Sequence, residues 1–298
     1  MPVFVRPPLR NRSLRVIHLR EMTTADLALA MRLKNHAGWN QREADWLRLL
    51  SMQQDGCFLA EWNGTAVGTA ATCIFGDVAW LAMVLVDESA RGRGIGTALV
   101  QHSLEFLDRA RIGSVRLDAT AFGQPLYEKL GFVPEYKLAR YEGVLPKSDD
   151  DPRALSTRVS TASSSEYERI CELDRAANAT DRRKFLLRLF QELPEEVRVI
   201  KHSGELAGYL AIRPGSEALQ IGPCVATESG GAELMADAAQ RYAGRRVIID
   251  VPLGNVPAVR FAQTMQLAVQ RTFIRMRRGT AVCDDLARLW ASSGPELG

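Results

Sequence analysis

The clearest change of hydrophobic period in the chain lies between residues 80 and 110. Residues 80–86 are seven consecutive apolar residues, long enough for a buried strand and too short for a convincing helix. A glycine-rich segment follows, and apolar residues then recur with helical spacing. The predicted helical face comprises Ile95, Leu99, Ser103, Phe106 and Ala110, flanked by Val100, Leu104 and Leu107. The pattern therefore predicts a strand, a loop and a helix in succession.

Strands and helices also alternate through the rest of the first half. Strands are predicted at residues 16–20, 57–62, 66–75 and 115–120 and from Phe132 onward, and helices near Thr23, at 43–52 and at 126–130. The dipeptide Asn63-Gly64 between two apolar runs is typical of a tight hairpin. Gly131 stands where a glycine ends a helix in the left-handed conformation.

The second half repeats this order of elements, which predicts two similar domains. Its third predicted helix lies at residues 232–242. Polar, proline-bounded residues 146–152 separate the halves and have no periodicity. The predicted organisation is a flexible tail at 1–14, a domain at 15–145, a linker at 146–156, a second domain at 157–280 and a C-terminal helix and tail at 281–298.

Composition and charge exclude several classes of protein. The chain has 298 residues, 46% hydrophobic and 24% charged, and a net charge of +3 is too small to indicate nucleic-acid binding. The five cysteines are an odd number without paired spacing, so they suggest neither a disulfide scaffold nor a zinc or other metal site. No membrane-spanning run or signal-peptide segment is present, so a cytoplasmic protein is expected. Five arginines precede the first acid, and prolines among them favour a mobile tail over a transit peptide.

The loop after residue 86 has the chemistry of an anion site. A helix start offers unpaired N–H groups and a partial positive charge. Gly92, Gly94 and Gly96 allow the backbone to approach an anion, and Arg91 and Arg93 add fixed positive charge. The glycine spacing is neither a dinucleotide fingerprint nor a Walker loop, and a pyrophosphate is the expected guest.

Two motifs together resemble those of the GNAT N-acetyltransferases. Arg91-Gly92-Arg93-Gly94-Ile95-Gly96 resembles the family's Q/R-x-x-G-x-G/A loop, and Leu126-Tyr127-Glu128-Lys129-Leu130-Gly131-Phe132 resembles its second hallmark. The resemblance covers residues 16–142 and implies acetyl-CoA as cosubstrate. It also implies an α/β fold of two tandem GNAT-like domains, each a mixed, mostly antiparallel twisted sheet flanked by helices. The implied cofactor residues are Val84, Leu85, Val86, Arg91, Gly92, Arg93, Gly94, Ile95, Gly96 and Thr97.

The sequence departs from the family pattern at several positions. Thr120 and Gly123 stand where the family has an asparagine and an alanine that help to seat the cofactor. The second half resembles a degenerate copy, because residues 226–231 lack arginine and include Glu228, and Ala262 matches Tyr127. We expect one working cofactor site, with the second domain shaping the acceptor cleft or a homodimer. The arrangement resembles bacterial tandem-GNAT proteins.

By resemblance, a bulge within residues 83–86 polarises the acetyl carbonyl and Tyr127 protonates the departing thiolate. The candidate contacts for the acceptor are Trp39, Asn40, Trp80 and Asp118. The base stays open between Asp118 and a route through water, since an amine must lose its proton before it attacks. There are simpler alternatives: Asp118 forms an ion pair, and the tryptophans pack in the core.

The expected function is acetyl-CoA-dependent N-acetylation of a primary amine by direct attack in a ternary complex. A polyamine, an amino acid, an aminoglycoside and a protein N-terminus are all open as acceptors, because fold analogy does not name a substrate. The alternative is a non-catalytic acetyl-CoA sensor, which would not need Tyr127.

Overall fold

The computed structural model describes residues 17–147 and 158–298. The predicted tail at 1–14 and most of the predicted linker at 146–156 lie outside the described residues. In the described part of the chain, no helix is both long and apolar enough to cross a membrane.

The described residues form thirteen strands and eight α-helices in two similar series. The first series is β1 Ile17–Glu21, α1 Leu27–His36, α2 Glu43–Met52, β2 Cys57–Trp62, β3 Thr65–Phe75, β4 Val78–Val86, α3 Ile95–Arg109, β5 Ser114–Ala119, α4 Gln124–Lys129 and β6 Val133–Val144. The second is β7 Val159–Thr161, α5 Tyr167–Asn178, α6 Arg183–Glu192, β8 Val197–His202, β9 Glu205–Pro214, β10 Leu219–Ala226, α7 Glu228–Arg241, β11 Arg246–Pro252, α8 Val256–Thr264, β12 Ala268–Gly279 and β13 Leu289–Ala291.

Local sequence signals explain several element boundaries. Asn63 and Gly64 join β2 to β3 with positive φ angles of 51° and 77°, as a tight hairpin turn requires. Gly131 ends α4 with φ +87°, a conformation that favours glycine. Thr23 begins the first helical segment through reciprocal capping contacts with Asp26. These signals act within a few residues, so they are readable from the sequence.

One continuous sheet unites the two halves, in the order β1-β2-β3-β4-β5-β12-β6-β11-β10-β9-β8-β7, with β13 on β10. The final strands are exchanged: β12 of the second half lies between β5 and β6, and β6 of the first half pairs with β11. Each half therefore completes the other's sheet. The sequence predicts two similar domains but not this exchange.

Helices of both halves also pack against each other beside the sheet. Arg48 of α2 lies 2.6 Å from Glu192 of α6 and 2.8 Å from Asp45, and Arg213 of β9 lies 3.2 Å from Asp45. The largest apolar cluster includes buried residues of α1, α2, α5 and α6, among them Trp46 and Phe190. The interface between the halves thus has an apolar core with buried ion pairs.

The prediction of a C-terminal helix at 281–298 is wrong. Within these residues the structure forms the short strand β13, which pairs with Cys224 and Val225 of β10. This pairing provides hydrogen-bond partners for the part of β10 that lies beyond its contacts with β11. In addition, Gly294 has a φ of +116°, which helices do not adopt. The segment is not an exposed tail either, because Trp290 and Leu297 are buried.

Two smaller corrections concern helices. The buried face of α3 centres on Leu99, Val100, Ser103, Leu104 and Leu107, whereas Phe106 is half-buried and Ala110 exposed. Helix α7 begins at Glu228 rather than at residue 232, because the Thr227 side chain accepts a hydrogen bond from the Gly230 N–H and starts the helix directly after β10.

Candidate active site

The predicted phosphate loop lies between β4 and α3 with its backbone open to a ligand. Gly92 and Gly94 have φ angles of 71° and 82°, and added Cβ atoms there would meet nothing within 4 Å. Gly94 begins α3, and no side chain in the described part of the protein caps its first N–H groups. Helix N–H groups without a side-chain cap suit an anion, so these residues fit a pyrophosphate.

The two arginines of this loop have different surroundings. Arg91 is exposed, and its guanidinium donates to Glu88 at 3.0 Å and to the Val86 carbonyl at 3.2 Å. Arg93 donates to the Ser89 carbonyl and lies 5.8 Å from the ring centroid of Trp62. Arg91 lines the central cavity, and Arg93 is not among the residues that line it.

Strand β4 contains the backbone irregularity that the resemblance implies. Its register with β3 shifts between the pairs Thr69–Leu85 and Ala71–Ala82, and Met83 has a φ of +54°. The Thr69 hydroxyl donates to the Met83 carbonyl at 2.9 Å. A bulge leaves a residue outside the ladder, so its N–H is available to a ligand.

Strands β4 and β5 separate beside this bulge. Their parallel pairing covers only Val78 to Trp80 on β4, although β4 continues to Val86. A cavity of about 650 Å³ begins in the resulting gap. Its lining includes nine of the ten predicted cofactor residues, Val84, Leu85, Val86, Arg91, Gly92, Gly94, Ile95, Gly96 and Thr97.

Tyr127 lies on α4 in the wall of the same cavity. Its ring packs edge-on against Phe132, with 5.8 Å between centroids. Burial raises the pKa of the Tyr127 phenol to about 12, so the phenol keeps its proton at neutral pH. A Cβ at Gly123 would lie 3.0 Å from the Tyr127 ring, so an alanine there would need a small shift of that ring.

The predicted acceptor contacts divide into two groups. Trp39 and Asp118 line the cavity. Asn40 instead holds the β9–β10 turn, where its amide donates to the Ala218 carbonyl at 3.0 Å. Trp80 is buried outside the lining, and its Nε1 donates to the Pro295 carbonyl at 3.0 Å.

Asp118 forms a buried ion pair with Arg275 of the second half. The guanidinium donates to both carboxylate oxygens at 2.8 and 2.9 Å. It also stacks 4.6 Å from the Trp80 ring centroid and donates to Tyr136 Oη at 2.8 Å. The exchanged strand β12 therefore supplies the partner of the predicted acceptor residue.

The end of the cavity nearest β6 and β12 was missed by sequence reasoning. Its lining includes Arg140, Arg271, Phe273, Pro295 and Glu296. These side chains come from the exchanged strands and from the C-terminal segment, and only tertiary pairing brings them to the first-half loop. The one sequence signal was the accumulation of arginines between residues 271 and 278.

In residues 158–298, the gap at the matching place is filled by β13. Strand β13 pairs with β10 where β10 leaves β11, and Trp290 beside it is buried. A Cβ at Gly231 in the first turn of α7 would lie 1.9 Å from the Trp290 ring. Asn255 donates to the Leu289 carbonyl at 3.1 Å and anchors β13, and Ala262 is buried without a hydroxyl. Strand β13 and Trp290 thus occupy the position equivalent to the first-half cavity.

Two family models match the chain, one in each half. Residues 20–132 match the model described as "Acetyltransferase (GNAT) family", and residues 170–291 match the one described as "Acetyltransferase (GNAT) domain". YitH of Bacillus subtilis, an uncharacterized N-acetyltransferase, is 27% identical over 202 residues, which is 67% of this chain and 69% of YitH.

Solved structures share the whole fold. A protein structure from Pyrococcus horikoshii aligns over 99% of this chain and 100% of its own, with a TM-score of 0.81 and 22% identity. A tandem GNAT protein from the clavulanic acid biosynthesis pathway aligns over 90% of this chain and 100% of its own, with a TM-score of 0.63 and 16% identity. The fold agrees with the two family matches, which show that the chain belongs to the GNAT acetyltransferases, with one copy of the family's domain in each half.

Proposed function

We propose that the protein transfers the acetyl group of acetyl-CoA to a primary amine of a small molecule, by direct attack of the amine in a ternary complex. The observation that carries this proposal is the single cavity that extends from the loop at Arg91 past the bulge at Met83 to Tyr127 and the β6–β12 end. Donor and acceptor can meet in such a space without a covalent enzyme intermediate. The family's typical use of acetyl-CoA supports the donor.

Each element of the cavity has a role in this reaction. Acetyl-CoA supplies an activated thioester carbonyl. In this proposal, N–H groups at the bulge of Met83 and Val84 bind the carbonyl oxygen, where negative charge develops as the amine nitrogen attacks; the register shift beside Met83 supports this role. Tyr127 gives its phenolic proton to the sulfur as the carbon–sulfur bond breaks, since its raised pKa keeps the proton available.

The amine loses its proton to water in this proposal. Asp118 was the other candidate base, but both of its carboxylate oxygens accept hydrogen bonds from Arg275. We therefore assign Asp118 to positioning β12 beside β5. Trp39 lines the cavity and is assigned to acceptor contact.

The test measures release of free CoA thiol with a panel of primary amines. Tyr127→Phe should lower kcat by about 100-fold, in the range found for general acids, while acetyl-CoA affinity changes little. Tyr167→Phe is the matched control, because Tyr167 is half-buried on α5 and does not line the cavity. Tight acetyl-CoA binding without turnover of any amine would favour the sensor alternative.

We further propose one acetyl-CoA site per chain. Trp290 and β13 fill the second-half position, which supports this stoichiometry. Calorimetric titration with acetyl-CoA should give one site, and a stoichiometry of two would contradict the proposal.

A further inference from the structure

The charged side chains that line the cavity are nearly all neutralised by partners. Arg91 lies 3.0 Å from Glu88, and Asp118 lies 2.8 Å from Arg275. At the β6–β12 end, Arg140 and Asp250 form a buried pair with two contacts of 2.8 Å. Glu296 pairs with Arg213 and also accepts a hydrogen bond from Gln41 at 2.8 Å. At the β6–β12 end, the pairs of Arg140 and Glu296 leave little charge to attract a ligand.

Arg271 is the exception. Among residues 17–147 and 158–298, no carboxylate oxygen lies within 4.0 Å of its guanidinium, and its recorded hydrogen bond is from Nε to Gln270 Oε1 at 3.1 Å. The side chain is half-buried and lines the cavity. Burial and the neighbouring charge of Arg140 lower the pKa of Arg271, and the carboxylates of Asp250 and Glu142 offset only part of this effect.

The position of Arg271 separates it from the phosphate loop. Its register partner is Arg140 on β6, and β12 is divided from β4 by β5. Two strand spacings correspond to roughly 10 Å across the sheet. The Phe273 ring lies on the same strand and also lines the cavity, 5.2 Å from the Arg140 guanidinium. This end of the cavity therefore offers an apolar ring and one unpaired planar cation.

We propose that Arg271 binds a carboxylate group of the acceptor, so that the substrate class is amino-carboxylates rather than polyamines or other polycations. This inference rests on the proposed acetyltransferase function. A guanidinium presents parallel donors that match the two oxygens of a carboxylate. A polycationic acceptor would meet at the same place a positive charge that forms no ion pair with a described carboxylate, and it would be repelled.

The experiment compares acceptors that differ only in this charge. 4-Aminobutanoate, leucine and glutamate are each titrated by calorimetry against the acetyl-CoA-saturated protein, in parallel with 4-aminobutanamide, leucinamide and glutamate α-amide. Thiol release is measured with the same pairs. At least one carboxylate should bind about 10-fold or more tightly than its amide. This ratio of dissociation constants corresponds to the free energy of one hydrogen bond to a charged group. In Arg271→Gln that preference should disappear, and Arg271→Lys should restore part of it.

Arg260→Gln is the control, since it removes the same charge from an exposed position of α8 that does not line the cavity. It should leave the carboxylate preference intact. If the wild-type protein binds carboxylates and amides equally, or if Arg271→Gln weakens acetyl-CoA instead of the acceptor, the proposal is wrong. The two proposals can fail separately. If Arg271→Gln loses the carboxylate preference but no acceptor gives thiol release, the anion site is supported and the transferase proposal is contradicted.

Discussion

Trp290 fills the position in the second half that corresponds to the first-half cavity, and its removal tests that interpretation. The side chain is 1% exposed and contacts the first turn of α7 at Gly231. Trp290→Ala would open a void between β10, β11 and α7, where the sequence has no arginine-bearing loop to hold a phosphate.

The expected loss follows from the buried area. An indole buries roughly 200 Å², which at about 25 cal/mol per Å² corresponds to about 5 kcal/mol. The wild type already loses part of this stabilisation, because no described group accepts a hydrogen bond from the buried Trp290 Nε1. An unsatisfied buried donor of this kind costs about 1 kcal/mol or more. We expect Trp290→Ala to lower the free energy of unfolding by about 3 to 4 kcal/mol.

Urea unfolding followed by far-UV circular dichroism measures this loss without relying on the deleted fluorophore. Phe122→Ala is the control, since Phe122 is 88% exposed and its removal should cost about 0.5 kcal/mol or less. Acetyl-CoA stoichiometry should stay at one in Trp290→Ala. A loss below about 1 kcal/mol for Trp290→Ala, or one no larger than that of the control, would refute the packing argument.

Three further predictions concern charge and pH. Arg140→Met leaves Asp250 buried without its partner and should cost about 3 to 5 kcal/mol in urea unfolding, most of which an added Asp250→Leu should recover. Because the Tyr127 pKa is raised to about 12, kcat should not decline between pH 8 and 10, and a decline centred near pH 10 that Tyr127→Phe abolishes would contradict this. Arg20 lowers the pKa of Asp26 to about 2, so this ion pair contributes stability above about pH 4 that is lost as the pH falls through 2. Asp26→Asn should accordingly be less stable than wild type in urea at pH 7, and the difference should shrink as the pH falls from 4 towards 2.

The sequence by itself determined the features that depend on neighbouring residues. The strand β4, the loop containing Gly94 and the helix α3 are contiguous, so their hydrophobic period and glycine positions predict the loop's place at the start of the helix. Tyr127 followed from a motif of seven consecutive residues. The repeated order of elements predicted two similar halves, which the two family matches support.

Only the tertiary structure decided which strands are neighbours. Periodicity reports which side of a strand is buried, and it does not specify the strand on either side. The exchange of β6 and β12, and the strand β13 in place of the expected C-terminal helix, therefore had no signal in the pattern. Arg271 reaches the cavity, and Arg275 reaches Asp118, because of that exchange. The loop proposed to bind acetyl-CoA is local in sequence, whereas the proposed acceptor end is assembled from residues more than a hundred positions apart.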